Sequence, residues 1–215
     1  TDQTIEPTQV AGFNQFYDDP NATDSTLVGI AVDQRFLPSL QGGLQIVNRY
    51  LSGPLDQPTN IVDYTERLPR AYLYWTPVKQ LALGAEYQLF DFSRDTMPQD
   101  ATFPKKLSSG QTQLSAGWFP TAWLVAKLRA TFVDQTAQFA DPTTGGTVSL
   151  GSHFSLVDAS LGYWLPRRMG QIGVGVTNLF NSHFDYQDLN FLTRSARLSP
   201  FVPERQVFAR LSLCF

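Results

Sequence analysis

The chain has 215 residues and a formal net charge of -3 with no run of lysines or arginines, so it offers no broad basic surface and nucleic acid is not an expected partner. Charged residues make up only 16%, below the roughly 25% usual for soluble domains, while aromatics reach 13% beside 15 glycines and 14 prolines, a balance that favours β structure over disorder. The single cysteine, Cys214, excludes an internal disulfide framework and any multi-cysteine metal site; no stretch reaches the ~18 apolar residues of a spanning helix, since the best run, TAWLVAKLRATFV, is broken by Lys127 and Arg129.

The N-terminal TDQTIEPTQ lacks the positive-then-apolar pattern of a secretory signal and reads as a cut, either behind a removed signal or inside a longer parent chain. A weak first strand is expected around QVAGFNQF. TLVGIAVDQRF sets Val28, Ile30, Val32 and Phe36 on one side and Asp33 and Arg35 on the other. GLQIVNRYL is ambiguous, and RAYLYW is a short candidate. QLALGAEYQLF sorts Leu81, Leu83, Ala85, Tyr87 and Leu89 against Glu86 and Gln88, and QTQLSAGWF gathers Leu114, Ala116 and Trp118. AWLVAKLRATFV sorts Leu124, Ala126, Leu128, Ala130 and Phe132 against Lys127, Arg129 and Thr131. SLVDASLGYWL sets Val157, Ala159, Leu161 and Tyr163 against Asp158, Ser160 and Gly162. QIGVGVTNLF places Ile172, Val174 and Val176 together. The closing VFARLSLCF puts Val207, Ala209, Leu211, Leu213 and Phe215 opposite Phe208, Arg210, Ser212 and Cys214. The sum is about ten strands, and no segment reads as an amphipathic helix.

Connections alternate in length. Short turns fall at LPSLQGG, TPVKQ, FPTAW and LPRRMG, each rich in Pro or Gly, and Trp75, Trp118, Trp123 and Trp164 all sit beside them. Long polar links are expected at YDDPNATDS, SGPLDQPTNIVD, SRDTMPQDATFPKK, DQTAQFADPTTGGTVSLGS and from NSHFDYQDLNF onward. Such an up-and-down meander, with aromatic residues at one end and ~9–11-residue strands, has the form of a transmembrane β-barrel, with short turns on the periplasmic side. A soluble β-sandwich accounts for the alternation but less readily for the asymmetry of the two ends.

VGVTNLFNSHFDYQ, followed by a polar loop and PERQVFARLSLCF, resembles the C-terminal end of a TonB-dependent receptor-like outer-membrane barrel. Asn178, Leu179, Phe180 and Asn181 match the Asn-Leu-Phe-Asn type motif of that family's penultimate strand, and Phe215, with Leu213 and Leu211, matches its terminal barrel-assembly signal. The match is strongest over residues 154–215; Pro203-Glu204-Arg205 departs from the Gly-Arg pair that many receptors carry before the last strand. The resemblance implies an all-β, antiparallel up-and-down barrel in a Gram-negative outer membrane, with residues 1–215 forming its C-terminal part and no plug domain within them. It implies contact with outer-membrane lipid and the barrel assembly machinery, a TonB complex reached through missing N-terminal sequence, and uptake of a small solute such as a ferric siderophore. Full receptors of this type have about 22 strands, while an even count of ten also permits independent closure. The chain is similar as well to structural or secretion-type barrels that follow periplasmic helical repeats, for which TonB-driven uptake is not implied.

No catalytic, cofactor or metal set is expected. His153 and His183 are the only histidines, without HExxH or paired Cys/His spacing. An omptin-like protease, using Asp185, Asp188 and His183, is the enzyme alternative. Glu86, Lys127, Arg129, Asp158 and Arg210, with Asp33 and Arg35, form an expected lumen-facing set, which would line a path, hold a plug, or make a wet ionic network across neighbouring strands. Phe139, Phe184, Tyr186 and Phe191 are loop aromatics that carry no binding assignment, and Thr143-Thr144-Gly145-Gly146 is a turn without the lysine of a phosphate cradle.

Overall fold

The computed structural model describes residues 3–10, 13–20, 23–54, 61–96, 104–141, 143–166, 169–184 and 204–213. They are all-β, with no helix among the described residues. β1 (Gln3–Val10) and β2 (Phe13–Pro20) pair with each other as a separate antiparallel hairpin. Nine further strands form one sheet: β3 (Asp24–Leu37), β4 (Leu40–Pro54), β5 (Ile61–Val78), β6 (Leu81–Arg94), β7 (Lys106–Trp118), β8 (Leu124–Ala140), β9 (Thr147–Trp164), β10 (Gly170–Thr177) and β11 (Gln206–Leu213). Each pairs antiparallel with its neighbours in sequence, so the sheet is an up-and-down meander in the order β11 to β3. It is not closed. Because nine is odd, its two edge strands, β3 and β11, run in the same direction and cannot complete an antiparallel wall with each other.

Turn chemistry sets the lower rim. Pro38 and Ser39 join β3 to β4, and Lys79 and Gln80 join β5 to β6; proline presets the turn dihedral and cannot continue the ladder. Backbone bonds tie these turns to the next strands, with Thr76 N–H donating to Ser39 O at 2.8 Å and Phe119 N–H to Gln80 O at 2.7 Å. At the other end Asp141 accepts from Thr143 N–H at 2.9 Å and from the Thr144 hydroxyl, and Gly145, at φ 70°, takes the left-handed position that a side chain would strain.

Three sequence expectations need correction. QVAGFNQF does not form one strand: it straddles the β1–β2 hairpin, so the described strands number eleven, not ten. Three expected long links are short: YDDPNATDS leaves 21–23 between β2 and β3, SGPLDQPTNIVD leaves 55–60 between β4 and β5, and in DQTAQFADPTTGGTVSLGS β8 and β9 pair residue by residue up to Ala140 and Thr147 and leave 141–146. The run of Gln, Thr, Ser and Gly looks like a loop by composition, but ladder hydrogen bonds from a neighbour already in register extend both strands through it. For the same reason β3 to β9 run 13 to 18 residues, beyond the ~9–11 expected.

Candidate functional site

The two faces of the nine-stranded sheet are chemically opposite. Following the register, Val28, Ile30 and Val32 of β3 share a face with Leu44 and Ile46 of β4, and with Ala71, Leu73 and Trp75 of β5. That face continues through Leu83 and Ala85, Leu114 and Ala116, Leu128 and Ala130, Ala159 and Leu161, Val174 and Val176, to Val207 and Leu211. These apolar side chains are open: Ile30 is 68% exposed, Leu128 51% and Val207 77%. Among the described residues no second layer covers them. Meanwhile Arg49, at 4% exposure, and Glu66, Gln45 and Gln135 lie buried on the opposite face. GLQIVNRYL, ambiguous in sequence, is thereby resolved, with Leu44 and Ile46 on the apolar face and Gln45, Val47, Arg49 and Leu51 on the other.

The apolar band has a constant height and a constant slope. On β8 it covers Leu124 to Phe132 and then gives way to Asp134, Thr136 and Gln138; on β6 it covers Leu81 to Leu89 and gives way to Asp91 and Ser93. About nine residues at about 3.3 Å each is about 30 Å along a strand. Its upper limit falls across the sheet: the rung through Val28, at the top of the band on β3, meets Asn48, Arg67, Asp91, Ser108 and Thr136, all outside the band. By contrast, the rung through Val207, at the top on β11, leads through Leu128 and Leu83 to Trp75 and Leu40 at the bottom of β5 and β4. The drop is about one residue per strand, or about 3.3 Å per 4.8 Å of spacing, which tilts the strands about 35° from the normal to the band. At that tilt the band stands about 25 Å tall, matching in both height and angle the apolar zone that membrane barrel walls present to lipid. All four Trp residues, Trp75, Trp118, Trp123 and Trp164, lie exposed at its short-turn edge.

Above the band the sidedness reverses. There the outer face carries Asn48, Arg67, Asp91, Thr136 and Gln138, while the inner face buries Leu51, Tyr64, Phe92, Leu107, Ala137 and Phe139 in one cluster. Tyr64 and Phe92 meet with ring centroids 5.7 Å apart, and Phe90 packs against both this cluster and the adjoining Val47 and Leu68. Phe139, which composition assigns to a loop, is therefore core.

Below that cluster the inner face is polar. Glu86 accepts from Arg70 Nε at 2.8 Å and from the Tyr74 hydroxyl at 3.2 Å, and the Tyr72 hydroxyl donates to Asp33, while Arg49 pairs with Glu66 at 2.5 Å on the rung of Phe92, within the cluster's own level. Glu86, Lys127, Arg129, Asp158 and Arg210 all fall on this face. Arg70, Tyr72 and Tyr74 were not singled out in the sequence, although their alternation with Ala71, Leu73 and Trp75 carries the signal. The floor near the short-turn end is made of small residues, Ala82, Gly84, Ser115 and Gly117, leaving a hollow of about 470 Å³ bounded by Tyr74, Lys127, Arg129, Asp158 and Phe208. A β-carbon on Gly84 would stand 2.6 Å from Ser115 Oγ and one on Gly117 3.1 Å from the Phe119 ring, so neither position readily takes a larger residue.

Asn178, Leu179, Phe180 and Asn181 form the turn that ends β10. Asn178 and Asn181 hold φ of 49° and 53°, a left-handed conformation that asparagine tolerates better than most residues. The Asn178 side chain both accepts from Ser182 N–H at 2.8 Å and donates to Ser182 O at 3.0 Å, its own N–H donates to Asp158 Oδ1 at 2.9 Å, and Arg205 N–H donates to Asn181 Oδ1 at 2.9 Å. Together they clasp β9, β10 and the approach to β11. Phe184 then stacks on Phe154, with centroids 3.9 Å apart, on the inner face.

Leu211 and Leu213 lie on the apolar face of β11, while Phe215 and Cys214 are outside the described residues. Asp185, Asp188, Tyr186 and Phe191 are likewise outside them, so no geometry bears on the protease alternative. His183 is exposed, and His153 meets Asp134 at 3.1 Å on the outer face above the band. Among the described residues no three of His, Cys, Asp and Glu converge on a metal position. Comparison with protein-family models, curated proteins and solved structures finds no match to this chain.

Proposed function

We propose that this chain is a stretch of the wall of an outer-membrane β-barrel of TonB-dependent receptor type, in a Gram-negative bacterium, admitting a small solute along its polar inner face. The observation that carries the proposal is the sloping apolar band: lipid rewards nonpolar side chains pointing outward at one height, whereas water penalises them. The polar, ion-paired inner face supports an aqueous lumen, because a charged group facing hydrocarbon costs several kcal/mol unless it finds partners. Both edges of the nine-stranded sheet point the same way, so an antiparallel wall containing it takes an odd number of further strands. That favours membership of a larger barrel over closure by these nine alone. The solute identity and the TonB coupling rest on the resemblance of the Asn178 to Asn181 turn and the terminal strand.

Single cysteines introduced in a Cys214→Ser background at Leu128, Ala159 and Val174, and at Lys127 and Ser160, test the wall directly. After reconstitution and fluorophore labelling, brominated lipid should quench the first three strongly and the last two weakly. Uniform quenching, or a chain that stays monomeric and dissolved without detergent, overturns the proposal. Growth of expressing cells on a scarce ferric chelate separates uptake from the structural or secretion-type reading. Loss of that growth on TonB deletion supports uptake, and indifference to both supports the alternative.

A further inference from the structure

The inner face is divided by charge. On β3 to β6 the ionic groups have partners: Arg49 has Glu66, Arg70 has Glu86, Asp33 has the Tyr72 hydroxyl, Arg35 donates to Pro38 O at 3.0 Å, and Arg94 Nε donates to Pro104 O at 2.8 Å. On β8 to β11 the cations do not. Lys127, Arg129 and Arg210 are exposed and make no ion pair or hydrogen bond among the described residues. Arg129 stands opposite Asp158 in the register, but the Asp158 carboxylate is engaged by Asn178 N–H at the end of β10. One carboxylate therefore faces three cations.

These cations lie on successive inward rungs of the tilted sheet, Arg129 and Lys127 on β8 and Arg210 three strands away on β11. The Arg129 rung contains Asp158; the next inward rung, two residues lower, contains Lys127, Ser160, Gly175 and Phe208; the rung below that contains Val125, Gly162, Gly173 and Arg210. Each step is about 6.6 Å along the strands, and since the band falls about one residue per strand, Arg210 stands at nearly the same height as Arg129 with Lys127 just below. Between the cations the floor is Ser160, Gly162, Gly173 and Gly175, and two hollows of about 470 and 280 Å³ adjoin there, sharing Lys127, Ser160 and Phe208. Ser160 and Gly173 leave the floor low, while the Phe208 ring lies over Gly175 and Gln171 and Val125 lie over Gly162; the combined space falls in the range of small-molecule sites.

We infer that this trough on β8 to β11 is a subsite for a small multivalent anion bearing carboxylate or phosphate groups. The inference rests on the inner face being a lumen. Positive side chains lining a wet passage select anions. A planar guanidinium takes two oxygens at once, while the Lys127 ammonium acts as a point charge one inward step below Arg129 on β8.

The test uses the full chain folded in zwitterionic micelles at low salt, titrated with citrate and followed by isothermal titration calorimetry. Citrate should bind, weaken as salt rises, and lose at least tenfold in affinity in the K127Q/R129Q/R210Q variant. R67Q/K79Q/K106Q, which removes the same charge away from the trough, should bind as the parent does, and spermidine should not compete. K127E/R129E should invert the preference towards spermidine. Unchanged citrate binding by the trough variant, an equal loss in the remote variant, or equal binding of spermidine overturns the inference. Far-ultraviolet circular dichroism and heat-modifiable gel mobility identify a variant that has failed to fold. Failure of citrate binding with lipid quenching intact sinks the anion trough alone, whereas failure of that quenching pattern sinks the wall itself.

Discussion

Replacing Leu128 by arginine separates lipid from water as the medium around the band. Leu128 lies midway along the Leu124–Phe132 segment, 51% exposed, between Ala116 on β7 and Ala159 on β9. If hydrocarbon surrounds it, a guanidinium near the midplane costs about 2–4 kcal/mol, which lowers the folded-to-unfolded ratio about 30- to 700-fold. If water surrounds it, an arginine at a half-exposed strand position changes stability by no more than about 0.5 kcal/mol, roughly twofold. The two expectations differ by at least an order of magnitude. Urea titration of the chain folded into lipid vesicles, followed by tryptophan emission, reads the difference. Two companions fix its origin: Thr136→Arg, on the same face of β8 but above the band, should cost less than about 1 kcal/mol because the penalty fades towards the interface, and Lys127→Leu, on the other face, should insert normally. A loss below about 0.5 kcal/mol for Leu128→Arg, or an equal loss for Thr136→Arg, would refute the membrane assignment of this face.

The remaining expectations concern the ends of the strands. Asn178→Ala removes two side-chain hydrogen bonds to Ser182 and places alanine at φ 49°, so it should cost about 2–3 kcal/mol in the same titration. Asn178→Gly, which relieves the backbone term, should recover about 1 kcal/mol, and identical losses would discount that term. Phe92→Ala, at a site only 2% exposed inside the upper inner cluster, should cost about 3–5 kcal/mol; a loss below about 1 kcal/mol would mean that this cluster is not closely packed. In the β8–β9 turn, hydrogen bonds from the Thr144 hydroxyl and Thr143 N–H hold the Asp141 carboxyl below the usual carboxylate range. A depressed value stabilises the turn above the ordinary Asp value near 4 and withdraws that support as pH falls through the folded value. The Thr143 amide should therefore exchange faster, relative to neighbouring strand amides, as pH drops below about 4, and Asp141→Ala should abolish the change.

Much of the sheet was legible in sequence because its signal is local. A period of two needs no partner strand to be seen, so Leu124 to Phe132 and Ile172 to Val176 declare their apolar side, and Pro or Gly marks the short turns. Glu86, Lys127, Arg129, Asp158 and Arg210 fall on the face opposite the apolar residues for the same reason. The upper inner cluster left no such trace. Leu51, Tyr64, Phe92, Leu107, Ala137 and Phe139 come from five strands and from stretches rich in Ser, Thr and Gln, and only the ladder register carries them to one place. The Asn178 turn was legible as a motif but not as a clasp, since its partners Asp158 and Arg205 lie some 20 and 24 residues away in the Asn178 and Asn181 bonds.

The sequence by itself determined which residues of each strand keep company, because alternation is built into an extended backbone. Only the tertiary structure decided how the strands align, and with that the slope and height of the apolar band, the reversal of sidedness above it, and the parallel sense of the two edges. Those are properties of pairing between strands, and a single strand contains no information about the residue that will sit beside it.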